Sequence, residues 1–164
     1  MPNLKIDNFL KLILLISSVS IISSFYIEYI LGHQPCNLCL IERIPYGLSI
    51  ILIVTNHILK KNEKFFILLL FLIFIFSFTI SVYHFGIEKG FFQESALCGL
   101  KNASEIISKD EILKQLSEKT ISCKDVTFRI FGFSLTTINI ILSLFLIILL
   151  LKILTNYEKF KKKS

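Results

Sequence analysis

The sequence predicts an all-α integral membrane protein, a bundle of four transmembrane helices with a short amphipathic helix in its second outer loop. Three observations predict it. Of 164 residues, 54% are hydrophobic and only 18% charged, and mean hydropathy is +0.72. A soluble domain of this size has too much surface to hide so much apolar mass. The apolar residues are gathered into four runs. Basic residues cluster in the segments that four spans would place on one side. The whole chain, 1–164, reads as a single membrane domain.

The first span is expected at about residues 10–31. Serines at 17, 18, 20, 23 and 24 interrupt it, and Glu28 lies about one turn inside its outer end. Glu28 reads as a snorkelling side chain and stays outside the expected site. The run is longer than a signal-peptide core and no A-x-A-like site follows, so it reads as a retained anchor.

The second span, about 44–59, is the weakest. Its 16 residues rise only about 24 Å as a helix, short of a ~30 Å hydrocarbon core. Pro45 would clash with the carbonyl of Ile41 inside a continuous helix, so the helix is expected to begin or kink near Ile44. Glu42 and Arg43 are then a charged pair at the membrane surface, with Cys36 and Cys39 at the head of the helix.

The third span is expected at about 65–85, with His84 at its outer end, and the fourth at about 130–151. Between them lies a loop, 86–129. Ser108 to Glu111 forms a capping box there, followed by Ile112, Leu113 and Leu116, which is the mark of a short amphipathic helix. A tail, 152–164, closes the chain.

Four spans put both termini on one side. That side carries 10 Lys/Arg in 29 residues, against 8 in 56 on the other. The positive-inside rule places the termini, and the tail 152–164, in the cytoplasm and the two loops outside. The net charge of +6 is thus an orientation signal, with anionic lipid as the partner of the Lys-rich tail and no nucleic-acid partner expected.

All four cysteines fall in the outer loops: Cys36 and Cys39 in the first, Cys98 and Cys123 in the second. Outside a bacterial inner membrane disulfides persist. Structural staples are one reading. The 24 residues between Cys98 and Cys123 suit it, since such a loop gains roughly 3 kcal/mol from a bridge. Cys36–Cys39 suits it poorly, because a two-residue gap closes a strained ring, and strained bridges tend to be catalytic. A four-cysteine zinc site needs two close-spaced pairs, so no metal is expected. A dithiol relay is the third reading. A helix N-terminus and Arg43, the sole Lys or Arg of the first loop, favour thiolate chemistry at Cys36–Cys39. No thioredoxin, Rossmann or P-loop pattern accompanies the pair. The electron acceptor is therefore expected to dissolve in lipid, and a quinone fits, with Arg43 and His84 near its ring.

The string from Gln34 to Arg43, Gln-Pro-Cys-Asn-Leu-Cys-Leu-Ile-Glu-Arg, resembles the signature of the DsbB family of disulfide bond formation proteins. So do Tyr83-His84 ahead of Cys98, and the stretch from Cys123 to Asn139 with Phe128, Gly132 and Ser134. The family's tryptophans are absent, and Phe128 and Phe131 stand in that region. The resemblance covers nearly the whole chain. It implies a bacterial inner-membrane oxidoreductase with periplasmic cysteine loops. Cys98 would form a mixed disulfide with a DsbA-like periplasmic thiol oxidase, and Cys123 would link back to the first pair. Cys36 and Cys39 would pass electrons to ubiquinone or menaquinone, at a site lined by Arg43 and His84. A vitamin K epoxide reductase-like oxidoreductase and a non-enzymatic disulfide-stapled protein are the alternatives. The former would be favoured by a Cys-x-x-Cys in or before the fourth span, which is absent.

Overall fold

The computed structural model describes residues 4–59, 62–93, 98, 123–124, 128–130 and 132–157. Helix α1 runs Leu4–Phe25 and continues as a π-helical turn, Tyr26–Ile30. Helix α2 is Asn37–Leu59 and α3 is Glu63–Glu88. A two-residue antiparallel ribbon, β1 Arg129–Ile130 and β2 Phe133–Ser134, leads into α4, Leu135–Thr155. All four helices are long and apolar enough to cross a membrane. The amphipathic helix expected at residues 108–116 lies outside the described residues, as does the tail beyond residue 157.

Helix α2 starts seven residues before Ile44. Cys36 caps it: its thiol accepts a hydrogen bond from the Cys39 N–H at 3.3 Å, and its carbonyl accepts from the Leu40 N–H at 3.2 Å. A sulfur here does the work of a Ser hydroxyl at an N-cap. Pro45 is inside the helix and buried. Membrane helices tolerate this because neighbours restore the lost backbone bond. The 23 residues of α2 rise about 34 Å, enough to span without thinning the bilayer. Glu42 and Arg43 therefore belong to the helix itself. They do not pair with each other: Glu42 turns to His84, and Arg43 to Glu28.

The bundle core is built from one stripe on each helix. Ile6, Leu10 and Ile13 meet Tyr46 and Ile53, Ile67, Leu70 and Phe74, and Leu146, Leu150 and Ile153. Serines line the closest approaches. Ser49 Oγ donates to Ser17 Oγ at 2.8 Å between α2 and α1, and Ser77 and Ser143 share a hydrogen bond of 3.2 Å between α3 and α4. Small residues let membrane helices approach closely, and their hydroxyls find partners across the seam. Large apolar residues such as Leu15, Ile22, Ile51, Leu72 and Ile148 point outward, the arrangement expected of a lipid-facing surface.

The packing is uneven. Helices α3 and α4 share the largest interface, whereas α1 touches α4 only slightly. A gap between α1 and α4 follows, and the candidate site opens into it.

Candidate functional site

Capping places Cys36 at the head of α2 and Cys39 one turn further on, with their Sγ atoms 2.8 Å apart. All four cysteines are unbonded in the structure. His84 arrives from the C-terminal end of α3. Its Nε2 lies 3.5 Å from Cys36 Sγ, and its Nδ1 lies 2.8 Å from Glu42 Oε1. Glu42 sits on the α2 face that Cys39 shares, three residues on. The carboxylate orients the ring: Nδ1–H donates to Glu42, leaving Nε2 to face the sulfur.

The chain of polar contacts continues into α4. Asn139 Nδ2 donates to Glu42 Oε2 and to Ser81 Oγ, each at 2.8 Å. The Tyr46 hydroxyl donates to Asn139 Oδ1. Helices α2, α3 and α4 are thus tied together around one buried carboxylate. A buried charge is tolerated when its oxygens are satisfied in this way.

Cys98 and Cys123 pack with Cys36, Leu38 and Ile87 in one buried cluster. Cys123 packs in that cluster beside Cys36. Interaction with Cys123, followed by that with Cys39, holds the Cys36 thiol far below the usual thiol range, with His84 adding to the effect against the opposing cost of burial. The same contact, with burial and Cys98, pushes the Cys123 thiol up. Negative charge is therefore favoured on Cys36 over Cys123.

A cavity of about 300 Å³ fills the gap between α1 and α4. Ile21, Ile27, Leu135, Ile138 and Leu142 give it apolar walls, and Cys39, Glu42, Arg43, Tyr46 and Asn139 give it a polar side. His33 and Phe128 also line it, their rings 5.0 Å apart. Arg43 borders the cavity, while His84 stands behind Glu42, against Cys36. Of the two residues expected near one ligand, Arg43 is at the cavity wall and His84 is joined to it through Glu42. A hydrogen-bonded carboxylate at Nδ1 turned His84 toward the sulfur.

Arg43 Nη1 donates to Glu28 Oε2 at 2.5 Å, and its guanidinium lies over the Phe25 ring at 5.4 Å. The π-turn at Tyr26–Ile30 brings Glu28 there, since such a turn shifts the face that follows it. Arg43 Nε is buried without a hydrogen-bond partner. An apolar slot with a few convergent polar groups and an unsatisfied buried donor is a fitting berth for a quinone-sized ring bearing acceptor oxygens.

The family model described as disulfide bond formation protein DsbB matches residues 7–153. The chain belongs to the DsbB family. It is a multi-pass membrane protein of disulfide bond formation, and hence an oxidoreductase. An uncharacterized protein of Rickettsia prowazekii (strain Madrid E) is 33% identical over 144 residues, covering 86% of this chain and 84% of that one. No solved structure matches.

The four cysteines, Arg43 and His84 of this DsbB-family chain, named from its sequence, lie at the end of the bundle where α2 begins and α3 ends. Sequence reasoning missed Glu28, Glu42, Asn139 and Tyr46 as members of the site. A signal existed for two of them. An ionisable Glu28 inside a span is a functional hypothesis by default. Asn139 is the only side-chain amide in a fourth run that carries no charge.

Proposed function

We propose that this protein reoxidises a soluble, thioredoxin-like dithiol oxidase of the periplasm, the role of a DsbA-like partner, and delivers the electrons to a membrane quinone. The observation that carries this reading is the position of Cys39. It lines one wall of the α1–α4 cavity while its neighbour Cys36 packs in one buried cluster with Cys98 and Cys123. One cysteine pair thus faces both the loop dithiol and a lipid-accessible slot. The outer loops face the periplasm in this reading, and the termini the cytoplasm.

The exchange begins at the loop. A thiolate of the partner attacks Cys98 Sγ in a Cys98–Cys123 disulfide, forming a mixed disulfide and releasing the Cys123 thiolate. That thiolate attacks Cys36 Sγ in the Cys36–Cys39 disulfide, so a Cys36–Cys123 bridge forms and Cys39 leaves as thiolate. The partner's second thiol displaces Cys98, and Cys98 then displaces Cys36 from Cys123. The partner ends oxidised, the loop disulfide is restored, and Cys36 and Cys39 hold the two electrons.

A good leaving group speeds such exchange, and the low thiol pKa of Cys36 makes it one. His84 Nε2 holds or accepts the Cys36 proton, and Glu42 balances the imidazolium that results. Glu42 also borders the cavity, which gives that proton a path to the ligand. Arg43 Nε and Nη donors, steadied by Glu28 and Phe25, hold a ligand oxygen and favour negative charge there. A quinone bound in this slot supplies a two-electron, two-proton acceptor.

The test is oxidation of a reduced thioredoxin-like oxidase by the purified protein, with ubiquinone and menaquinone analogues in parallel. Turnover that continues only with a quinone supports the reading. Oxidation that stops at the cysteines' own stoichiometry with every quinone overturns it.

A further inference from the structure

The sulfurs of Cys36 and Cys39 and one ring nitrogen of His84 lie within 4.8 Å of one another. Two of the three are buried, Cys36 at 6% exposure and His84 at 3%, and Cys39 is partly buried. Two thiolates on one tetrahedral zinc ion stand about 3.8 Å apart, and a thiolate and an imidazole nitrogen about 3.6 Å. The Cys36 Sγ to His84 Nε2 distance, 3.5 Å, already meets that geometry. The two sulfurs, at 2.8 Å, need to part by about 1 Å, which a small turn of the Cys39 side chain provides.

The surroundings strengthen the case. Zinc-ligating histidines donate their second ring N–H to a carboxylate or carbonyl, which fixes the tautomer and raises ligand basicity. His84 Nδ1 has that arrangement with Glu42 Oε1, and Glu42 is fixed in turn by Asn139. The fourth position of a tetrahedron falls to water, giving an open site.

We infer that the reduced form of this protein binds a thiophilic divalent cation, with zinc as the type, through Cys36, Cys39 and His84. Coordination releases the Cys39 thiol proton and the proton shared between Cys36 and His84 Nε2, and forms two metal–sulfur bonds and one metal–nitrogen bond, with no change in oxidation state. The disulfide form lacks both thiolates, so oxidation expels the ion. A bound ion ties up both sulfurs and holds the reduced protein out of exchange until it leaves. The inference goes beyond the quinone reading and needs only that Cys36 and Cys39 reach the dithiol state.

Cobalt(II) is the probe, titrated into full-length reduced protein in detergent with Cys98→Ser and Cys123→Ser removing the other thiols. Neither quinone nor partner is present, so this result is independent of the turnover assay. One cobalt per chain with thiolate charge-transfer and tetrahedral d–d absorption, displaced by zinc, is expected. No such bands appear after Cys36 and Cys39 are oxidised. Glu42→Gln weakens the affinity about 10–100-fold, and His84→Ala by at least as much. Helical circular dichroism and gel filtration confirm that each variant is folded. Absent bands, bands of equal strength in the oxidised protein, or unchanged affinity in both folded variants overturns the inference.

Discussion

His84 Nδ1 and Glu42 Oε1 stand 2.8 Å apart, a carboxylate–imidazole pair bridging α3 and α2 inside the apolar bundle. The pair turns the other ring nitrogen onto Cys36 Sγ. Replacing Glu42 with Gln removes the charge that balances the imidazolium but keeps the shape. Turnover with partner and quinone is expected to fall about 10²-fold or more, the range for a lost general base, with helix content unchanged. A fall below threefold contradicts the role given to the pair.

Cys36 is the thiol with the depressed pKa. A group of this kind is ionised above its lowered folded value, whereas in the unfolded chain it ionises only above the ordinary thiol pKa. The stability it contributes is therefore fully present above the ordinary thiol pKa of about 8.5 and is lost as pH falls through the folded pKa. In the reduced protein, the thiolate absorbance of Cys36 should persist as pH is lowered from about 9 to 6, where a free thiol of pKa ~8.5 would have lost it. The difference spectrum against Cys36→Ser isolates the signal. A step near the ordinary thiol pKa would contradict the thiolate assignment.

Arg43 and Glu28 make a second pair across the α1–α2 boundary. Hydrogen bonds to charged groups contribute about 1.5–3 kcal/mol, so Arg43→Ala should raise the KM for quinone roughly 10–100-fold. The KM for the thiol partner should move far less. Glu28 acts by positioning Arg43. Glu28→Ala should raise the quinone KM by a smaller factor, and Glu28→Gln, which keeps an acceptor oxygen, should restore most of it. Equal effects of Ala and Gln at position 28 would count against positioning.

How much of this was legible in the sequence depends on the scale of the signal. The spans are written in long apolar runs, and the six named site residues in a short motif, a histidine and two loop cysteines. The start of α2 was hidden because Cys36, not an expected capping residue, caps the helix, and because Pro45 reads as a helix start. Glu42 was assigned to Arg43 by adjacency, yet neighbours in a helix point about 100° apart. Each therefore found a partner on a different helix. The Glu28 contact depends on a π-turn, and no local pattern of residues 26–30 announces one.

The serine seam offers a test of the fold apart from chemistry. Ser143 is fully buried and shares a hydrogen bond with Ser77. Ser143→Ala should cost only about 0.6 kcal/mol, the average for such bonds between membrane helices. Ser143→Leu must force α3 and α4 apart and should cost about 1–3 kcal/mol or more. Thermal unfolding in detergent measures both, and similar shifts for the two would contradict the close α3–α4 approach.

The central claim is that Cys39 is the outlet from the cysteines to the cavity. The most direct measurement is quinone-dependent oxidation of a reduced thioredoxin-like partner by purified Cys39→Ser protein, with membrane insertion and helix content checked alongside. The account predicts no quinone-dependent oxidation in a bundle that still inserts. Undiminished oxidation by that variant would contradict it.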